Sequence, residues 1–215
     1  TVMSSGSEKK DLKVAHRTVF DELLDNSSLP AAEKALPWLV EEAQIVVSAG
    51  STTTLYYLKC TTYFILTDQA IHSAYVELLA AIPDPGTLTA LPVLESLAFL
   101  AAVTKEGFWN NDAASSRLAR VSSDDDLECG ERIIRKGISI SRSTCSQHRD
   151  PKLLTKGNTF EAARWLEPGA AKLEQYLVSF PKGTRQCLDI NLAKSEIYLK
   201  LAAVFRRFEL EFFKT

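Results

Sequence analysis

Apolar positions recur at helical spacing along most of this chain, and only residues 115–146 switch to alternation. The pattern predicts helices over 17–24, 38–66, 69–82, 94–108 and 190–208. Asp25-Asn-Ser-Ser stops the first, and Pro83-Asp-Pro-Gly86 stops the third. Pro30 suits a helix start, and Pro37 is expected to bend or restart the helix that follows. Within the alternating stretch, 117–121 and 138–141 read as short strands, with a hairpin turn at Cys129-Gly130-Glu131. The fold class expected is mainly α with a small β region (α+β). Residues 1–16, rich in Ser and Lys, are expected to be disordered, and 17–215 to form the folded part.

The longest helix has an awkward centre, Ser48-Ala-Gly-Ser-Thr-Thr-Thr54. One glycine and three β-branched threonines there cost roughly 2–3 kcal/mol against alanine. The residues alone leave two readings open. Either the helix opens locally, or the chain breaks into two helices joined by polar loop residues.

Composition narrows the function classes. At 215 residues and 46% hydrophobic content, the chain has the apolar surface for a sizeable core. A net charge of −2 supplies no field for nucleic acid or an anionic membrane. Cys60, Cys129, Cys145 and Cys187 form neither CxxC pairs nor zinc spacing, which points to a reducing, intracellular compartment. The apolar runs are too short to span a bilayer, and the polar N-terminus is not a signal peptide. His16, His72 and His148 make no metal-ligand pair at helical or strand spacing. Nucleophile-elbow, phosphate-loop and dinucleotide fingerprints are absent from the sequence.

One stretch does carry chemistry: Phe180-Pro-Lys-Gly183-Thr-Arg185-Gln-Cys187-Leu-Asp189, ahead of the last helix. Gly183 permits a tight turn. A cysteine where a helix begins sits near unpaired backbone N–H groups that favour a thiolate. A thiolate with a neighbouring cation and an aromatic ring is what an iron porphyrin requires, an axial sulfur plus a partner for its carboxylates. Phe, Gly, Arg and Cys in this register should arise by chance on the order of once in a few thousand chains of this composition.

Phe180-x-x-Gly183-x-Arg185-x-Cys187 resembles the haem-binding loop of the cytochromes P-450, the haem-thiolate monooxygenases. The resemblance continues from about Arg17 to Phe213 without large gaps and corresponds to the C-terminal half of a fungal-type member. It implies haem b as cofactor, with Cys187 as the metal ligand. Phe180, Gly183, Arg185, Arg120 and His148 are implied as cofactor-binding residues, His148 lying within His-x-Asp-Pro. It implies that Ala49-Gly50-x-x-Thr53-Thr54 is the distorted centre of the family's long distal helix, which decides for local opening. Ala49, Gly50 and Thr53 are then oxygen-side residues, Thr53 helping to deliver protons. Glu106 and Arg164 are implied as a structural pair. The activity implied is insertion of one oxygen atom of O₂ into an apolar small molecule. Its electrons come from an NADPH-dependent flavoprotein reductase. Fungal relatives usually sit on the endoplasmic reticulum through an N-terminal helix, and no such anchor occurs in these residues.

Several positions depart from the family pattern. Asp189 replaces a second glycine, which puts a side chain and a like charge near the sulfur and is expected to weaken ligation. Thr52 replaces an acid before Thr53, and a hydroxyl relays a proton without supplying charge. Trp109 replaces the arginine of Glu-x-x-Arg. Losing one partner of a buried pair costs up to about 3–5 kcal/mol, less where Arg164 still satisfies Glu106. Leu154, Thr155, Gly157 and Ala162 replace prolines and a phenylalanine in the 149–165 meander, which is therefore expected to be looser. Reverting Asp189 to Gly and Trp109 to Arg together is expected to raise haem occupancy. The alternatives are a non-catalytic haem-binding remnant or a helical interaction module, whose apolar faces would take the N-terminal half or another apolar partner.

Overall fold

The computed structural model describes residues 17–67, 72–87, 89–111, 116–180 and 182–211; the 1–16 segment expected to be disordered lies outside them. The chain divides into two compact units, one ending at Ala49 and the other beginning at Gly50. The first unit opens with α1, Val19–Asp25. Its N-terminus is closed by a capping box: Thr18 Oγ1 accepts from the Asp21 N–H at 3.3 Å, and Asp21 Oδ2 accepts from the Thr18 N–H at 2.8 Å. Asn26 ends it by folding its side chain onto the Ser28 N–H. Pro30 caps a short 3₁₀ turn, Ala31–Lys34. The chain then restarts as α2, Leu36–Thr67, with Pro37 near the helix start, where its missing N–H costs nothing.

α2 stays helical through 48–54, so the chain does not break there into two helices joined by a loop. The polar centre is accommodated locally: Ser48 Oγ donates to the Ile45 carbonyl at 3.2 Å, so its hydroxyl is satisfied within the helix. Its buried residues, Thr54, Tyr57 and Thr61, all lie beyond the glycine.

In the second unit Tyr57 shares a core with α3 (His72–Ala81), α4 (Leu91–Ser96), α5 (Ala98–Trp109) and α8 (Ile190–Arg207). Tyr57, Leu78, Leu94, Leu100, Phe108, Ile197 and Leu201 form the main core. Gly107 sets the closest approach, because a Cβ there would stand 2.4 Å from the Tyr57 hydroxyl and 2.5 Å from that of Thr61. Burial pushes the Tyr57 phenol up, so it remains a donor, and it bonds the Thr104 carbonyl at 2.8 Å. A second cluster gathers Ala102, Val103, Trp109, Phe160 and Trp165.

The single helix expected over 94–108 is two. Leu97 turns extended (φ −72°, ψ 110°) between α4 and α5. The freed N–H groups of Phe99 and Leu100 are capped at 3.0 and 3.1 Å by the carboxylate of Glu77 on α3. Arg206 and Arg207, at the end of α8, donate to the carbonyls of Ile82, Pro83 and Pro85 and so fasten the turn after α3.

The alternating stretch forms two antiparallel ribbons, shorter than expected. β1 (Arg120–Val121) pairs with β4 (Ser139–Ile140), and β2 (Leu127–Cys129) with β3 (Arg132–Ile134). The hairpin turn falls at Gly130, whose φ of 61° is left-handed. Two short helices follow, α6 (Thr144–His148) and α7 (Ala170–Glu174).

Candidate functional site

The 180–189 loop is anchored at one end and open at the other. The Phe180 ring meets Phe108 edge-on at 5.1 Å, and Ser179 Oγ donates to the Phe108 carbonyl at 2.6 Å. Gly183 has φ +91°, and its carbonyl accepts from the Gln186 N–H at 3.0 Å, which closes the turn. The first helical residue of α8 is Ile190, with Asp189 as its cap, so Cys187 precedes the helix instead of opening it. The carbonyl of Asp189 accepts from the Ala193 N–H, and its side chain makes no capping bond. Cys187 is half-buried, while Leu188 beside it is 92% exposed.

Cys187 and Arg185 line a cavity of about 290 Å³ together with Thr53 and Thr54 of α2, under walls that include Phe180 and Ile197. This one space gathers four of the residues singled out from the sequence: Thr53, Phe180, Arg185 and Cys187. A second cavity of about 630 Å³ shares Leu118, Thr144 and Ser179 with it and holds Arg120. Gly183 contributes backbone shape. Gly50 faces open space, with nothing within 4 Å of a Cβ, and Ala49 belongs to the first unit.

His148 is placed elsewhere. It is 3% exposed, its ring stacks on Trp109 at 4.5 Å, and its Nε2 accepts from the Val178 N–H at 3.1 Å. Through that bond the imidazole holds the stretch of chain that enters the cysteine loop, and it lines neither of the two cavities.

Glu106 and Arg164 do meet. Glu106 is fully buried, and Arg164 Nε lies 3.3 Å from its Oε2. Three further donors surround the carboxylate: the Trp165 indole at 2.7 Å, the Asn110 amide at 2.8 Å and the Glu161 N–H at 2.9 Å. Trp109, in the place of the family arginine, adds no bond to it; its ring packs at 2% exposure and its Nε1 finds no acceptor among the described residues. Burial pushes the Glu106 carboxyl above its ordinary value, and the donors only partly offset this. Arg164 also donates to the carbonyls of Lys156, Thr159 and Glu161. The 149–165 loop is thus tied down where looseness was expected. Gly157 helps, since a Cβ there would meet the His148 carbonyl at 2.5 Å.

Sequence reasoning quoted Thr54 in its motif without a role of its own, and missed Asn110 and Trp165. Thr54 carried a signal, being one step from Thr53 on the same helix. Asn110 and Trp165 carried none, because their part depends on a carboxylate that reaches them only through packing.

A soft thiol and a guanidinium on one apolar-walled space suit iron porphyrin: sulfur for the metal, the cation for a carboxylate, the walls for the ring. The smaller cavity lies just below the usual range for ligand sites, and the adjoining one supplies the remaining room. The cytochrome P450 family model matches residues 5–215. The chain is 40% identical over 205 residues to the cytochrome P450 monooxygenase MO6277 of Ascocoryne sarcoides, covering 94% of this chain and 40% of that protein. It is 41% identical over 207 residues to the cytochrome P450 monooxygenase sdnE of Sordaria araneosa, again covering 94% and 40%. A third relative, the cytochrome P450 monooxygenase tpcC of Cochliobolus heterostrophus, is 41% identical over 202 residues, covering 91% and 38%. The chain therefore spans about 40% of the length of these relatives. From the cysteine loop, the cavity it shares with α2 and this match along nearly its whole length, the chain belongs to the cytochrome P450 family.

Proposed function

We propose that this chain is the cysteine-bearing part of a haem-thiolate monooxygenase, in which Cys187 Sγ would hold the iron. Haem, when bound, supplies an iron centre that activates O₂ for insertion of one oxygen atom into an apolar molecule, with electrons from a flavoprotein reductase. Arg185 and Arg120 would hold its carboxylates as charge-assisted donors. Phe180 would wall the cofactor space, and the Gly183 turn would bring Cys187 to it. Thr53 Oγ1 accepts and donates a proton within the same space, and Thr54 provides a second hydroxyl beside it. Thr52, exposed on α2, has no charge with which to feed that relay, so proton delivery is expected to be slow.

The observation carrying this reading is the single cavity lined by both Cys187 and Thr53, residues far apart in the chain. The test is the carbon monoxide spectrum of the reduced, haem-supplied protein, wild type beside Cys187→Ala. A thiolate-type band that vanishes in the variant is expected; a spectrum indifferent to the sulfur overturns the assignment.

A haem-binding protein without turnover is the second reading, favoured by the exposure of Leu188 beside the ligand and by Thr52. NADPH consumption with a reductase and a lipophilic substrate separates the two. Consumption that rises with substrate supports the monooxygenase, and its absence in a protein with an intact thiolate band supports the remnant. We also propose that the region of the relatives not represented here supplies the rest of the substrate pocket.

A further inference from the structure

The larger cavity has a charge pattern that the cysteine loop does not explain. Its floor is apolar, with Ile134, Ile140 and Val178, and its rim holds three cations, Arg120, Arg142 and Lys182. Among its described lining residues there is no aspartate or glutamate. The β1–β4 register sets Arg120 opposite Ile140, which keeps Arg142, two residues further on, at the same wall. Arg120 uses Nη1 on the Ala119 carbonyl at 3.0 Å, and Lys182 reaches the Gln175 carbonyl at 3.3 Å, leaving further N–H groups on both. No described carboxylate pairs with Arg142. Three exposed cations around an apolar floor raise the local positive potential, so the space is suited to a carboxylate borne on an apolar body.

We propose that Arg142, with Lys182 in support, is a further carboxylate-binding residue of the cofactor site, acting alongside Arg120. This rests on the haem reading above, the carboxylates being those of the porphyrin. Arg142 then fixes how the ring sits, a positioning role. Its planar fork suits a carboxylate, and Lys182 adds charge from the cysteine loop itself.

The test is titration of the cofactor-free chain with ferric haem, followed by Soret absorbance and repeated with haem dimethyl ester, whose carboxylates are masked. Arg142→Ala is expected to weaken binding of haem about tenfold, the loss of one charge-assisted bond. Arg142→Lys should recover part of that loss, and the ester should bind wild type and Arg142→Ala alike. Equal haem affinity of wild type and Arg142→Ala overturns the inference, as does an equal loss for haem and its ester, which would mark a structural effect. If Cys187→Ala leaves the haem spectrum untouched, the haem reading fails and this inference falls with it. A cysteine-dependent spectrum with no response to Arg142 sinks the inference alone.

Discussion

The Glu106 cluster and the Cys187 loop each carry a departure from the family pattern, and the structure treats the two in opposite ways. At Glu106 the lost arginine has been replaced by what packing brought near: Trp165, Asn110 and a backbone N–H join Arg164 around a carboxylate with no solvent exposure. At Cys187 nothing has closed over the change. Asp189 caps α8 without a side-chain bond, and Leu188 stands in water. A buried acid must find donors or be expelled, so its neighbours converge on it. A half-exposed loop is under no such pressure, because water satisfies it. Burial therefore holds the Glu106 cluster together, while the loop proposed to carry the chemistry at Cys187 stays open.

The largest test of that contrast is Glu106→Ala. It leaves Arg164 charged and buried and strands three donors, and is expected to cost about 3–5 kcal/mol in urea unfolding. Glu106→Gln sharpens it through pH. A carboxyl raised above its ordinary 4.5 contributes stability that is complete below that value and is lost as pH rises through the raised one. Relative to wild type, the glutamine variant should therefore be most costly under acid conditions, and the gap should narrow toward neutral pH. A gap that widens instead would mean that the donors hold the carboxyl below 4.5.

Gly107→Ala comes next. The added methyl meets Tyr57 and Thr61 between α2 and α5, and is expected to cost about 1–3 kcal/mol by thermal or urea unfolding. Trp109→Arg follows at about 2 kcal/mol, because it exchanges a packed ring for a buried cation beside a carboxylate already served. Improved stability would break the view that the site is repaired. Asp189→Gly is the smallest, a few tenths of a kcal/mol at a helix cap. Its effect is expected in haem retention during gel filtration, which should rise without a change in melting temperature. The paired reversion suggested by the sequence thus separates into one change that helps the loop and one that harms the core.

How much was legible in advance follows from range. The helical periods, the stop at Asp25, the hairpin at Gly130 and the cysteine motif were all written locally, in spacing and turn chemistry. The break at Leu97 was not, because the group that makes it tolerable, Glu77, caps α5 from another helix. In α2 the threonines lower helix propensity without breaking the helix in two, and Tyr57 and Thr61 pack firmly beyond them.

By itself the sequence determined the elements, their apolar faces and one ten-residue loop whose register names its chemistry. Only the tertiary structure decided that Thr53 and Cys187 share a cavity, that His148 holds the chain at Val178, and that Glu106 keeps a full set of donors without the arginine. Periodicity records which side of an element is apolar. The partner that meets a given polar group is fixed only when distant segments pack, and burial then makes each unmet hydrogen bond expensive.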